Sequence, residues 1–299
     1  MRALVTGASG FIGKHLLGRL SEPVIVSRSA SRVSGPAGVR VYQWDPLSGP
    51  LPAEFLRDVD TIFHLAGEPV ASGRWTAKKK ARIRDSRRVG TANLVRGLAA
   101  AEPRPRVLVC SSAVGYYGDR RDEILDESSS PGDDFLAEVC RLWESAAAEA
   151  KRLGVRVVSA RTGIVLGRDG GALTKMLLPF KLGLGGRLGN GRQWMPWIHI
   201  DDMVGLFLHA ATHDNVEGPM NCTAPHPVTN REFTSVLAAT LRRPAVFPVP
   251  GAALKLAAGE FAEVLLASQR VVPQLALRTG YVFQHADLRP ALEEILRRT

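Results

Sequence analysis

Residues Ala3 to Gly13 run Ala-Leu-Val-Thr-Gly-Ala-Ser-Gly-Phe-Ile-Gly, an apolar stretch that breaks straight into a glycine-spaced turn. A buried parallel strand reads as a continuous apolar run, and glycines at this spacing let the backbone turn sharply and approach a pyrophosphate. Ile12, Leu16, Leu17 and Leu20 then mark an amphipathic helix. Its first N–H groups and its dipole favour an anion. Strand, turn and helix stand in the order that a dinucleotide site requires. Gly7, Ser9, Gly10, Phe11, Ile12 and Gly13 are therefore candidate cofactor contacts.

The second strand, Pro23 to Arg28, bears on which dinucleotide fits. An NAD site usually carries Asp or Glu at the end of this strand, to accept from the adenosine ribose hydroxyl. This chain has Ser27 and Arg28 there, with Arg32 close behind. A guanidinium holds a 2′-phosphate through paired charge-assisted bonds, so NADP(H) is the expected cofactor.

At 299 residues the chain can bury a full core, and no apolar run approaches the length of a membrane span. Met1 leads directly into the first strand, so no signal or transit peptide is expected. Cys110, Cys140 and Cys222 are widely spaced and unpaired in pattern, supporting neither a disulfide framework nor a zinc site. A cytoplasmic protein is expected. The formal net charge of +10 is densest from Lys78 to Arg88. Only Trp75 lies nearby, with no nucleic-acid motif, so the run is expected to be a solvated helix face rather than a nucleic-acid footprint.

Strand-like segments alternate with helical ones through the first half. Thr61–Gly67, Val107–Ser112 and Val155–Arg161 read as strands, and helices are expected around 90–101 and 133–153. This alternation predicts an α/β fold: a doubly wound parallel sheet of Rossmann type, with ligands outside the carboxyl ends of the strands. After Gly167 the rhythm changes to a glycine-rich loop at 183–191, a dense aromatic stretch at 194–200, and a helix capped by Asp201 or Asp202. Leu254–Leu266 is a further helical stretch. The expected division is a Rossmann core over 1–167 and a smaller mixed C-terminal lobe over 168–299, with part of 195–225 returning to the core.

Taken in order, Gly7-x-x-Gly10-x-x-Gly13, His64-Leu65-Ala66-Gly67, Gly90-Thr91-x-Asn93-Leu94, Tyr117-Gly118, Arg161 to Gly167 and Ile198 to Asp202 resemble the extended short-chain dehydrogenase/reductase superfamily. Ser112 to Gly118, Leu182 to Gly186 and Ser268 to Pro273 resemble its atypical "epimerase family protein" subgroup, family 39U, with that subgroup's C-terminal domain of unknown function. The resemblance implies that Leu65, Ala66, Gly67 and Ile164 border the cofactor. It also implies that Arg87, where extended members usually carry Asn, and Arg82 assist Arg28.

The superfamily's chemistry rests on a Ser or Thr and on Tyr and Lys four residues apart on one helix face. The ammonium lowers the phenol's pKa so that it exchanges a proton. Alignment on Tyr117-Gly118 and on Glu144 places Ala113, Leu136 and Cys140 at those positions. Two readings stay open: an NADP(H)-dependent oxidoreductase or epimerase-like enzyme whose acid/base group has moved, with Tyr116 and Tyr117 as candidates, or a non-catalytic NADP(H)-binding sensor. His199 reads either as an acid/base group or as a hydrogen-bonded structural residue. The expected substrate cleft is walled by Tyr116, Tyr117, Leu136 and segment 183–199, with Trp194 and Trp197 offering flat surfaces to an unidentified small molecule, or else anchoring the lobe. Lys175 and Arg187 are cations near the glycine loop. Superfamily members often dimerise through the two helices flanking the central strand, so a homodimer is an open expectation.

Overall fold

A computed structural model describes residues 1–29 and 39–297, and Arg32 lies outside them. The first elements are β1 (Ala3–Thr6), α1 (Phe11–Leu17), β2 (Val24–Ser27), β3 (Arg40–Gln43), β4 (Thr61–His64) and α2 (Ala77–Ala99). There follow β5 (Val107–Ala113), β6 (Ile124–Leu125), α3 (Phe135–Ala148), β7 (Arg156–Thr162), β8 (Ile164–Leu166) and α4 (Gly171–Lys181). With β11 (Gly218–Cys222), seven strands form one sheet in the order β11-β7-β5-β4-β1-β2-β3, every pair parallel. The sheet is doubly wound, as the alternation predicts.

Successive side chains of a strand face opposite ways, and burial on both sides follows that period. Ala3, Val5, Ile25 and Phe63 pack on one face with Leu16 and Leu17 of α1. Leu4, Val24, Val26 and Ile62 pack on the other with Leu94 and Leu98 of α2 and Trp143 of α3.

The remaining elements are β9 (Trp194–Met195), β10 (Trp197–His199), α5 (Ile200–Thr212), β11 (Gly218–Cys222), β12 (Val228–Thr229) and α6 (Asn230–Leu241). Last come α7 (Gly251–Ala258), α8 (Phe261–Leu266), β13 (Arg270–Val271), α9 (Gln274–Arg278) and α10 (Leu288–Arg297). Of these, β11 closes one edge of the central sheet, and Met203, Val204 and Phe207 of α5 join the core beside α1. α6, α10 and α4 surround a separate cluster containing Phe180, Trp197, Phe233 and Leu292.

Three elements differ from the expected spans. The helix expected from about 90 begins at Ala77, where the Thr76 side chain accepts from Lys79 N. The basic run is therefore its first half, and Lys79 takes a core-side position because its ammonium is neutralised by Glu68 Oε1 at 2.8 Å. The stretch 254–266 divides into α7 and α8 at Gly259, whose φ of +62° ends the first helix. The cap of α5 is His199, whose Nδ1 accepts from Asp201 N at 3.1 Å. Asp201 and Asp202 stand instead in the first turn.

Asp202 is fully buried and holds the C-terminal segment to α5. Its Oδ1 accepts from Tyr281 Oη at 3.0 Å and Gln284 N at 2.9 Å, and its Oδ2 from His285 N at 2.8 Å.

Candidate functional site

Strand order reverses between β1 and β4. From β1 the chain builds β2 and β3 to one side, then β4, β5, β7 and β11 to the other. A ligand finds room in the crevice outside the carboxyl ends of the strands at such a reversal. Gly7 follows β1 there with φ of +71°, and a Cβ on it would lie 2.7 Å from the Leu65 carbonyl carbon at the end of β4. A Cβ on Gly13 would lie 2.4 Å from Gly7 O. Gly10 N donates to Gly7 O at 3.0 Å, and no side chain caps α1, whose opening N–H groups are left to an anion. Ser9 and Gly10 are exposed at the tip of the turn, and Ile12 is half-buried behind it. The Phe11 ring lies on the turn after β8: a Cβ on Gly167 would come within 2.5 Å of it, and one on Gly170 within 2.4 Å.

Leu65 and Ala66 continue from β4 into the crevice, and Ala66 N donates to Thr6 Oγ1 at 3.3 Å. Beneath them His64 bridges Thr6 Oγ1 at 2.8 Å and Thr91 Oγ1 at 3.1 Å. Burial lowers the His64 pKa to about 4, so the imidazole is neutral at physiological pH.

At the end of β2, Ser27 is half-buried and Arg28 exposed. Glu68, just after Gly67, gathers cations nearby: Lys79 Nζ at 2.8 Å and Arg82 Nη2 at 3.2 Å. The Lys79 hydrogen bond, with the charges of Lys79, Arg82 and Arg28, holds the Glu68 carboxyl below its ordinary range. Arg87 lies under the same turn. Its Nη1 donates to the carbonyls of Glu68 at 3.0 Å and Ile83 at 3.1 Å, and its guanidinium covers the Trp143 ring at 4.7 Å. A Cβ on Gly67 would lie 3.2 Å from that guanidinium, so Arg87 supports the turn from within.

Outside β5 and β7 a buried polar network replaces open space. Glu144 on α3 accepts from Ser112 Oγ at 2.6 Å and receives a two-pronged ion pair from Arg161, with both contacts at 2.9 Å. Burial opposes the Arg161 charge, but the Glu144 carboxylate more than offsets it and raises the pKa. Arg161 also donates to Tyr117 Oη at 3.0 Å, and its guanidinium lies 3.5 Å over the Tyr116 ring.

Two expected cleft residues are corrected by these contacts. Tyr117 is fully buried, its hydroxyl 2.7 Å from Asn221 Oδ1 and 2.8 Å from the Asp126 carbonyl. Burial pushes its pKa up to about 12, so Tyr117 is a packed strut and walls no cleft. Trp197 is likewise fully buried, donates Nε1–H to His226 O at 3.1 Å, and belongs to the core of the C-terminal lobe. Trp194 is half-buried, its indole N–H given to Asp122 at 2.9 Å and its face covered by Arg270 at 4.4 Å. Ile164, half-buried in β8, pairs with Trp197 across β10 and packs on the same lobe core.

His199 lies 3.8 Å from His285, ring centre to ring centre, and ligand-type atoms of both approach Asp201 and Glu294 within 4.8 Å. Because His199 Nδ1 accepts a backbone N–H, its proton sits on Nε2, which suits a helix cap better than a metal ligand. Burial first, then the neighbouring His285, lowers the His199 pKa.

Residues 3–222 match the NAD dependent epimerase/dehydratase family. The chain belongs to that family. Residues 249–295 match a domain of unknown function, DUF1731. Relatives resemble the chain along its length. "Epimerase family protein ML0860" of Mycobacterium leprae is 40% identical over 290 residues, 96% of this chain and 93% of that one. The crystal structure of human epimerase family protein SDR39U1 (isoform2) with NADPH superposes at a TM-score of 0.89, with 37% identity and 100% of both chains covered. The nucleoside-diphosphate sugar epimerase of Corynebacterium glutamicum superposes at 0.80 with 34% identity, over 99% of this chain and 58% of that one.

Of the positions expected to stand in place of the proton relay, Ala113 and Cys140 come together in space, and Leu136 lies beside Gly115. Cys140 Sγ lies 3.6 Å from Ala113 O, and a Cβ on Gly115 would touch Leu136 at 3.3 Å. Cys140 is buried, which pushes its thiol pKa up to about 12. Tyr116, by contrast, is half-buried beside Gly115. Sequence reasoning passed over Glu68 and Asn221, read Lys79 as part of a solvated face although it is buried, and used Glu144 only as an alignment mark. Glu144 carried a signal: it stands four residues beyond Cys140 on the inner face of an otherwise apolar helix surface. Among the described residues, no helix is long and apolar enough to cross a membrane.

Proposed function

We propose that this protein is an NADP(H)-binding oxidoreductase-type enzyme of the epimerase/dehydratase family, working without the Ser-Tyr-Lys relay and with Tyr116 as its proton-exchanging side chain. The observation that carries the cofactor reading is the glycine cradle: Gly7 and Gly13 leave no room for a Cβ beside the β1–β4 reversal. The residues present fit the group. Gly7 to Gly13 would take the pyrophosphate, and Arg28, with no acidic residue at its strand end, would take the 2′-phosphate. The NADPH in the human SDR39U1 crystal structure supports the choice.

When bound, a nicotinamide supplies or accepts hydride. Around its end of the crevice the chain would present Ala113, Leu136 and Cys140, which exclude water and exchange no proton at neutral pH. Tyr116 remains the tyrosine of that region outside the buried hydrogen-bond network, oriented by the Arg161 guanidinium over its ring. The apolar character of the three relay positions also favours a second reading, a protein that binds NADP(H) and catalyses nothing.

Titration of both cofactors tests the first part: NADPH is expected to bind at least about tenfold more tightly than NADH. Equal affinities sink it. For the second part, oxidation of bound NADPH is followed against a panel of carbonyl compounds and quinones. Turnover that disappears in Tyr116→Phe, with NADPH affinity retained, supports the enzyme; absence of turnover with every acceptor favours the sensor.

A further inference from the structure

A groove on the C-terminal lobe shares no lining residue with the dinucleotide turn. It runs between α6 and the segments around 187 and 245–248, with a volume of about 460 Å³. We propose that it is a second small-molecule site, for a phosphomonoester whose phosphate is joined to a flat apolar body.

The polar end is built from two arginines and two hydroxyls. Arg231, Thr234 and Ser235 stand at i, i+3 and i+4 on one face of α6 and so line one wall together. Arg187 lines the same groove. Gly191 lets the two arginines meet: it has φ of +72°, and a Cβ there would lie 3.0 Å from Arg187 Cδ and 3.3 Å from Arg231 Cβ. Among the described residues neither guanidinium has a carboxylate within ion-pair distance, whereas the cations around Glu68 are paired. Two cationic side chains lining one groove repel each other, and an oxyanion placed between them would relieve the repulsion and take charge-assisted bonds from both.

The walls are held before any ligand arrives. Arg231 N donates to Gly191 O at 2.8 Å, Leu188 N to Asn230 Oδ1 at 2.8 Å, and Val249 N to Arg187 O at 2.9 Å. Pre-formed walls lower the ordering needed on binding. The other end of the groove is apolar, lined by Ala238, Ala245, Val246 and Pro248. Val246 keeps 69% of its surface in water, which a planar apolar body would cover. A volume of this size matches a small organic phosphate rather than a bare ion.

The test uses the full-length protein with inorganic phosphate and phenyl phosphate as probes, titrated calorimetrically with and without saturating NADPH. Phenyl phosphate is expected to bind about tenfold more tightly than inorganic phosphate, through its ring, and equally well with NADPH present. Arg187→Gln with Arg231→Gln is expected to weaken phenyl phosphate at least about tenfold while leaving NADPH affinity and Tm unchanged. Both side chains are exposed, so the variant is expected to fold. No binding of phenyl phosphate, equal affinity for the two probes, competition with NADPH, or an unaffected double variant each overturns the proposal. Loss of NADPH preference over NADH leaves these outcomes untouched and bears only on the cofactor reading.

Discussion

Arg28 is exposed at the end of β2 and reaches the neighbourhood of Glu68 only through its charge. A phosphate there would meet a guanidinium that, among the described residues, has no carboxylate in ion-pair distance. Arg28→Ala is therefore expected to weaken NADPH about ten- to a hundredfold and to leave NADH nearly unchanged, as read by fluorescence titration of both. His64 gives a pH prediction of definite sign. Its folded pKa of about 4 lies below the ordinary imidazole value, so the unfolded chain binds the extra proton first. Stability is full above about pH 6.5 and falls as pH drops toward 4, by up to about 3 kcal/mol from this group. Denaturant unfolding from pH 7 to pH 4 reads the slope, and His64→Gln is expected to flatten it. The Cys140 thiol, with its pKa raised to about 12, is expected to resist alkylation at pH 8 in the folded protein and to react after denaturation, which mass spectrometry follows.

Helix α2 lies so close to the loop at Leu51 that Gly97 has no room for a side chain: a Cβ there would lie 2.3 Å from Leu51 O and 2.7 Å from Leu51 Cβ. Gly97→Ala, favourable in an isolated helix, is here expected to destabilise by about 1–3 kcal/mol through overpacking, measured by denaturant unfolding. That helix also shows what a sequence leaves legible. Its second half, with Leu94, Val95 and Leu98 buried at helical spacing, could be read directly; its first half could not, because Lys79 occupies a core-side position. The pairing that permits this comes from Glu68, eleven residues upstream on a loop, and periodicity carries no trace of it. The strands of the sheet were legible for the opposite reason, since burial on both faces leaves unbroken apolar runs. Gly7 and Gly13 were legible through their spacing, and the steric reason for each lies in contacts with Leu65 and with Gly7 itself. Tyr117 and Trp197 look like ligand surfaces in the sequence. Their true partners, Asn221 and the His226 carbonyl, are 104 and 29 residues away along the chain.

At the scale of the whole molecule, residues 281–285 are bonded to α5 through the Asp202 carboxylate. Asp202→Asn keeps the shape but gives up the charge that strengthens three accepted bonds, and turns an acceptor into a donor facing backbone N–H groups. It is expected to cost at least about 2 kcal/mol and to raise hydrogen exchange at 281–285 more than at β1 or β4, read by mass spectrometry. Long-range pairing of another kind sets the order in which the molecule can be assembled. β11 lies at an edge of the sheet in space, yet it is the last of the seven strands to be synthesised. Until residue 222 leaves the ribosome, β7 presents a bare parallel edge that any nearby strand can template onto. The interval from 162 to 218, in which α4 and α5 are made, is thus a window of vulnerability during biosynthesis. Escape from aggregation in that window depends on translation speed and holding chaperones, neither of which leaves a mark on the finished protein.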